Sequence, residues 1–220
     1  MTVLSKTDAG GQPVWSVFDA PQTDFQTTRT ATNLAGEPRH SLMLSDLSSR
    51  EKTRVDGDVA EEFLLRGALA RSLLIVGAID RALAISVEYA AVREQFGRPL
   101  AKFQAVQALV ADIASEAAIV HAAVDAAVAL VEREGFTHPR AGFAVAVAKS
   151  TASRAATISA RNAHQVLGAI GFTYEHELHR HTNRMLSWRS EFGTVRHWDD
   201  RLTELALAAG SAGLWALISD

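Results

Sequence analysis

The sequence predicts a mainly α protein, an antiparallel helix bundle preceded by a few β-strands. Three observations carry that expectation. Helical spacing of apolar residues begins near Val59 and persists almost to the C-terminus. Residues 1–57 differ in character, rich in Thr, Ser, Asp, Gly and Pro with only short extended-looking pieces. Glycine and proline fall where successive helices have to end, and the connections between helices are short, as in an antiparallel bundle. The expected organisation is a partial β domain over 1–57 and a helical bundle over 58–220.

In the N-terminal part, Pro13 to Phe18, Phe25 to Ala31 and His40 to Leu47 read as strands, with turns at Gly10-Gly11 and Gly36-Glu37-Pro38. So few strands cannot bury a face unaided, which calls for cover from the helical part or from another chain. The first helix is expected from Val59 to about Gln95. Its successor, Phe103 to about Arg133, carries Val106, Leu109, Val110, Ile113, Ala117, Val120, Val124 and Val128 at helical spacing and is stopped by Gly135. A third helix, Pro139 to Leu167, is so rich in Ala and Ser that neighbouring helices can approach it closely. Two more follow Gly168 and Gly171, at Glu175 to Leu186 and Thr194 to Leu217.

With 220 residues, 48% hydrophobic and 21% charged, the chain has material for one substantial core. A net charge of -3 gives no basic face for nucleic acid. The longest purely aliphatic run, Leu73 to Val76, is far short of a membrane span, and no basic-then-apolar leader precedes residue 30, so a cytoplasmic location is expected. The absence of cysteine excludes disulfides, thiolate metal sites and a cysteine nucleophile.

One stretch reads as a site, Arg93-Glu-Gln-Phe-Gly-Arg-Pro-Leu-Ala-Lys-Phe-Gln104. It clusters two guanidinium groups, two amides and two aromatic rings around a helix break made by Gly97 and Pro99. Guanidinium forks suit phosphate oxygens, aromatic faces suit a base, and amides bond in either sense, so the set suits a nucleotide-bearing cofactor. The other reading is a helix–helix corner with solvated arginines. Other chemistries have less support. His176, His179 and His181 lack the i, i+4 spacing of a zinc helix, since Arg180 stands four residues after His176, so no metal site is expected. There is no Gly-x-Ser-x-Gly elbow, and Gly168-Ala-Ile-Gly171 is too short and follows no strand, so neither a serine hydrolase nor a dinucleotide fingerprint is expected. Its glycines mark places where backbone can approach a ligand or another helix.

The run from Tyr89 to Gln104, followed about 60 residues later by Gln165-Val-Leu-Gly-Ala-Ile-Gly-Phe172, closely resembles the C-terminal helical domain of the FAD-dependent acyl-CoA dehydrogenases. The resemblance covers about residues 59–205, and Asn33-Leu-Ala-Gly-Glu-Pro38 is similar to the last part of that family's middle β domain. It implies a bundle that pairs with a second protomer and lends residues to the partner's flavin. On that footing Arg93 would bond the FAD pyrophosphate and Phe96 would lie near the adenine, while Gln95 and Gln104 would complete the grip. Gln165, Gly168 and Ala169 match the family's second cofactor segment, with Ala169 in place of its usual second glycine. Thr194 matches a threonine that touches the FAD of its own subunit.

Two departures shape the expected function. Family catalysis removes an α proton with a glutamate while the β hydride passes to the flavin. The position for that glutamate, just before the Gly-Thr pair, is Phe192, and the alternative position 26 residues before the family arginine is Gly67. Glu191 is one residue out of register and would reach inward only with a shifted backbone. On the same resemblance, the family's N-terminal helical domain and the first half of its β domain are expected to be absent from this chain. The resemblance therefore implies an FAD-binding, non-catalytic subunit of a heteromeric acyl-CoA dehydrogenase, inactive alone, with another family-like chain supplying the base and sharing the acyl-CoA site. Two readings stay beside it: a self-sufficient enzyme using Glu191, and a flavin-free dimerisation scaffold.

Overall fold

In the computed structural model, which describes residues 2–9, 12–44 and 51–219, the chain forms two compact units, Met1–Leu64 and Leu65–Asp220. Within the first, β1 (Thr2–Ala9), β2 (Gln12–Asp19) and β5 (Thr53–Val55) form an antiparallel sheet in the order β1-β2-β5. β3 (Phe25–Arg29) pairs with β4 (Ser41–Leu44) as a separate ribbon. Between those two strands Asn33 makes the turn, its Oδ1 accepting from the amides of Ala35 and Glu37 at 3.0 Å each, and Gly36 takes φ +77°. The expected Gly10-Gly11 turn and the end of the third strand lie outside the described residues. β1 and β5 were not expected, because neither alternates clearly between apolar and polar residues.

α1 (Gly57–Val92) begins in the first unit and runs on through the second. Leu65, Leu69, Ile75, Ile79, Ala82 and Ile85 put one stripe of it in the core. α2 (Gln104–Glu134) buries Ile113, Ala117, Val120, Val124 and Ala127, and ends where Gly135 turns to φ +82° with its amide bonded to the Val131 carbonyl. α3 (Ala141–Leu167) is the central helix, packing on α2, on α4 (Leu178–Trp188) and on α5 (Val195–Ser219). Its buried residues include Ala146, Ala148, Ala152, Ala155, Ala156, Ala160 and Ala163, small side chains that leave room for three neighbours. By length and composition alone α2 and α5 are apolar enough to cross a membrane, a property hidden from a search for unbroken aliphatic runs; 33% of the most apolar window of α2 is buried within the protein.

The corner between α1 and α2 is more than a helix break. Glu94–Gln95 (β6) and Arg98–Pro99 (β7) pair as a minimal hairpin, with Phe96 at φ +53° and Gly97 at φ +77° in its two-residue turn. Positive φ at both turn residues suits the twist of a hairpin, but phenylalanine adopts it at a cost in strain. A single 3-10 turn, Leu100–Lys102, then leads into α2.

Candidate functional site

The hairpin and the end of α3 form the two walls of one cleft of about 430 Å³. Tyr89 comes from the last turn of α1 and Arg93 directly follows that helix, its amide bonded to the Tyr89 carbonyl, while Gln95 and Leu100 come from the corner and the residues from Gln165 to Ile170 from the opposite wall. Tyr89 stands one helical turn before Arg93 and therefore shares its face. Arg93, Gln95, Gln165, Gly168 and Ala169, proposed from sequence for the cofactor, thus line one cavity despite lying some seventy residues apart. Arg93, Gln95, Gln165, Gly168 and Ala169 are all exposed. Among the described residues no carboxylate lines the cleft and the Arg93 guanidinium is its one full charge, which suits an anion.

The glycines of the second wall have separate tasks. A Cβ on Gly171 would meet Leu167, His164 and Leu178 at 3.1–3.2 Å, so that glycine permits packing between α3 and α4. Gly168, at φ +64°, has nothing within 4 Å of such a Cβ and presents open backbone to the cleft. The other expected cofactor residues lie outside the cavity. Phe96 caps the hairpin, 91% exposed, with its ring edge-on to Phe103 at 6.2 Å. Arg98 stacks its guanidinium on the same Phe103 ring at 4.2 Å. Gln104 opens α2 and is exposed. Thr194 sits immediately before α5, where its Oγ1 accepts from the His197 amide at 3.3 Å.

Beside the second wall, His164 stacks on Phe172 with ring centroids 4.2 Å apart and shares a hydrogen bond with Thr182 Oγ1 at 2.9 Å. Burial pushes its pKa below the usual histidine value, with His179 adding to the effect. The three histidines singled out from sequence have local partners. His176 Nδ1 accepts from the Leu178 amide, His179 Nδ1 bonds the His176 carbonyl, and His181 faces Glu177 at 3.8 Å.

A second locus is the loop Ser190–Thr194. Gly67, inside α1, costs on the order of 1 kcal/mol relative to alanine in a helix interior. The reason for it is steric: a Cβ there would stand 2.1 Å from Cδ1 of Phe192. The two positions from which a family base would be expected are therefore one contact, a phenyl ring lying on a glycine. Phe192 adopts φ +55°, followed by Gly193 at φ +101°, and its carbonyl accepts from Trp198 Nε1 at 3.1 Å. Glu191 is half-buried in an ion pair with Arg71 of α1, 2.7 Å from Nη2. The sequence pointed to neither Arg71 nor the buried Lys149 behind this loop. The available signal was a lone lysine within the apolar, Ala-rich run of α3.

The family model of the acyl-CoA dehydrogenase C-terminal domain matches residues 56–195, most of the chain. The chain belongs to the acyl-CoA dehydrogenase family. Members of this family are FAD-binding flavoproteins. Among its relatives, acyl-CoA dehydrogenase FadE34 of Mycobacterium tuberculosis is 40% identical over 126 residues, which is 56% of this chain and 17% of that protein. Two solved structures share the fold. A variant of the Tcur3481–Tcur3483 steroid ACAD superposes with a TM-score of 0.82 at 23% identity, over 96% of this chain and 56% of that one. The ChsE4–ChsE5 complex from M. tuberculosis gives 0.80 at 23% identity, over 94% and 55%. The chain thus spans little more than half the length of the solved chains and a smaller share of the curated relative.

Proposed function

We propose that this chain is an FAD-binding, non-catalytic subunit of a heteromeric acyl-CoA dehydrogenase, working with a family-like chain that supplies the catalytic base. Its substrate would be an acyl-CoA thioester at a site shared with that chain. The observation that carries the reading is the contact between Phe192 and Gly67, which puts hydrocarbon at both positions where this family's base is expected. A phenyl ring accepts no proton, and the neighbouring carboxylate of Glu191 is already engaged by Arg71.

The cleft fits the cofactor by its donor set. Arg93 would neutralise pyrophosphate charge, the amides of Gln95 and Gln165 would orient the same group, and the open backbone at Gly168 and Ala169 would admit it closely. Phe96, strained and exposed at the hairpin tip, would offer its face to the adenine. FAD, when bound, supplies the acceptor for the β hydride. Thr194 lies on a different element from the cleft residues, as suits contact with a second flavin. The structural neighbour ChsE4–ChsE5 is itself a complex, which supports assembly with another chain.

Copurification from the native source, read by mass and by flavin absorbance near 450 nm, tests the proposal. The expected result is a second acyl-CoA dehydrogenase-like chain with a carboxylate at one of the two base positions, and flavin retained by the complex. A colourless homo-oligomer that gains no flavin absorbance on adding FAD would replace it with the scaffold reading.

A further inference from the structure

Among the described residues, Lys149 is the one charged side chain that is fully buried. Its Nζ donates to the carbonyls of Trp188 at 2.9 Å and Arg189 at 3.0 Å and to Ser153 Oγ at 3.3 Å, so all three ammonium protons are placed. Ser153 in turn donates to the Arg189 carbonyl at 2.9 Å. These carbonyls end α4, where the helix leaves acceptors unsatisfied and where its dipole favours positive charge. The Trp188 carbonyl also accepts the Glu191 amide at 3.2 Å, so the lysine grips the turn from which the Ser190–Thr194 loop springs.

We propose that Lys149 is a positioning residue whose ammonium fixes the Ser190–Thr194 loop and thereby sets the Phe192 ring on Gly67. The proposal goes beyond the functional reading above and holds whether or not the chain carries flavin.

Energetics separate positioning from plain stabilisation. Burial pushes the Lys149 pKa from an ordinary 10.5 down to about 8, with Glu191 opposing the shift and Arg71 adding to it. Between pH 8 and 10.5 the unfolded chain therefore holds the extra proton, and the contribution of this group to stability rises with pH across that window. Near neutral pH the buried ammonium is a net cost to folding, and what it returns is geometry. Its grip on the loop has the opposite pH dependence, since loss of the charge above pH 8 weakens charge-assisted bonds to carbonyls.

Several other charged and titratable groups face this region. Glu191 and Arg71 lie across the loop, and Arg189 turns its Nη1 to Thr157 Oγ1 at 2.7 Å. On α5, Asp199 is held by Ser150 and Arg154, and His197 packs edge-on to Trp198. A pH effect due to any of these would persist in Lys149→Met.

Hydrogen exchange of the amides 190–194 in the full chain, from pH 6.5 to 9.5 and corrected for intrinsic rate, tests the proposal alongside thermal unfolding. In the unmodified chain, loop protection should fall by about tenfold as pH passes 8 while the unfolding midpoint holds or rises. Lys149→Met should show the low protection at every pH, with a midpoint at pH 7 no lower than that of the unmodified chain. Unchanged loop protection in the variant, or a loss spread through α3 and α4 with a lowered midpoint, would overturn the proposal. If the variant does not fold, the unmodified chain decides alone: loop protection that does not fall through pH 8 overturns it.

Discussion

The molecule uses the same strained dipeptide twice. Phe96-Gly97 and Phe192-Gly193 both take positive φ at both residues, a conformation phenylalanine rarely adopts. At the first, the ring stands 91% exposed at the tip of a hairpin, beside a cleft whose polar groups face outward. At the second, the ring turns inward onto Gly67, and the surrounding groups are engaged within the chain: Glu191 by Arg71, the Phe192 carbonyl by Trp198, the preceding carbonyls by Lys149. The same positive-φ turn thus serves opposite ends. The first locus stands open, and the second is filled by the protein itself.

Substitutions sharpen the contrast, and the largest effect is expected at Gly67. Gly67→Ala drives a methyl group into the Phe192 ring and should destabilise the fold by about 1–3 kcal/mol in denaturant titrations. Phe192→Ala in the same chain should recover most of that loss, since it removes the group the methyl meets. Additive effects in the double variant would mean that the ring is not seated on the glycine.

At the open locus the effect belongs to the ligand and not to the fold. Arg93→Ala should weaken FAD binding roughly tenfold to a hundredfold, the equivalent of about 1.5–3 kcal/mol for a charge-assisted bond to phosphate, and leave the flavin-free unfolding midpoint unchanged. Equal FAD affinity in the variant would remove the cofactor assignment from the whole cleft. Glu191→Gln, which breaks a half-buried ion pair, should lower stability by no more than about 1 kcal/mol. Flavin affinity should be unaffected, because the ion pair lies outside the cleft.

A smaller effect comes from acid. Burial is the first cause of the lowered pKa at both His164 and His181, so the fold disfavours protonation of each. For a base with a lowered folded pKa, the stability it contributes is complete above the ordinary 6.5 and is lost as pH falls below that value. Because His164 stacks on Phe172 next to the cleft wall, exchange protection in residues 168–172 should decline before that of α2 as pH drops below 6.5. Simultaneous loss in both would show that this wall does not titrate on its own.

Much of the fold was legible because the bundle is written in local signals. Gly135 and Gly168 end α2 and α3 at the residues expected, and of the apolar stripe expected on α2, Ile113, Ala117, Val120 and Val124 are buried while Val106, Leu109, Val110 and Val128 are half-buried. β1 and β5 were illegible, since Thr2–Ala9 lacks alternation and Thr53–Val55 is held only by its pairing with β2. The β6–β7 hairpin was missed because it spans few residues and turns on a phenylalanine with positive φ. At the site, the residue types of the Arg93–Gln104 stretch suggested a nucleotide, but only the family resemblance paired it with Gln165–Ala169. Lys149 and Arg71 had no such guide. Their partners lie some forty and more than a hundred residues away, and the partners of Lys149 are chiefly backbone carbonyls, which carry no residue-specific signal.

The most direct test of the central claim is turnover of acyl-CoA thioesters by the isolated, FAD-loaded chain in a dye-coupled assay. The expected result is none, because hydrocarbon occupies both base positions. Phe192→Glu should also be inactive in the isolated chain, since general base catalysis contributes only about 10²- to 10⁴-fold and does not replace positioning of substrate by a partner. Robust turnover by the unmodified, isolated chain would contradict the account.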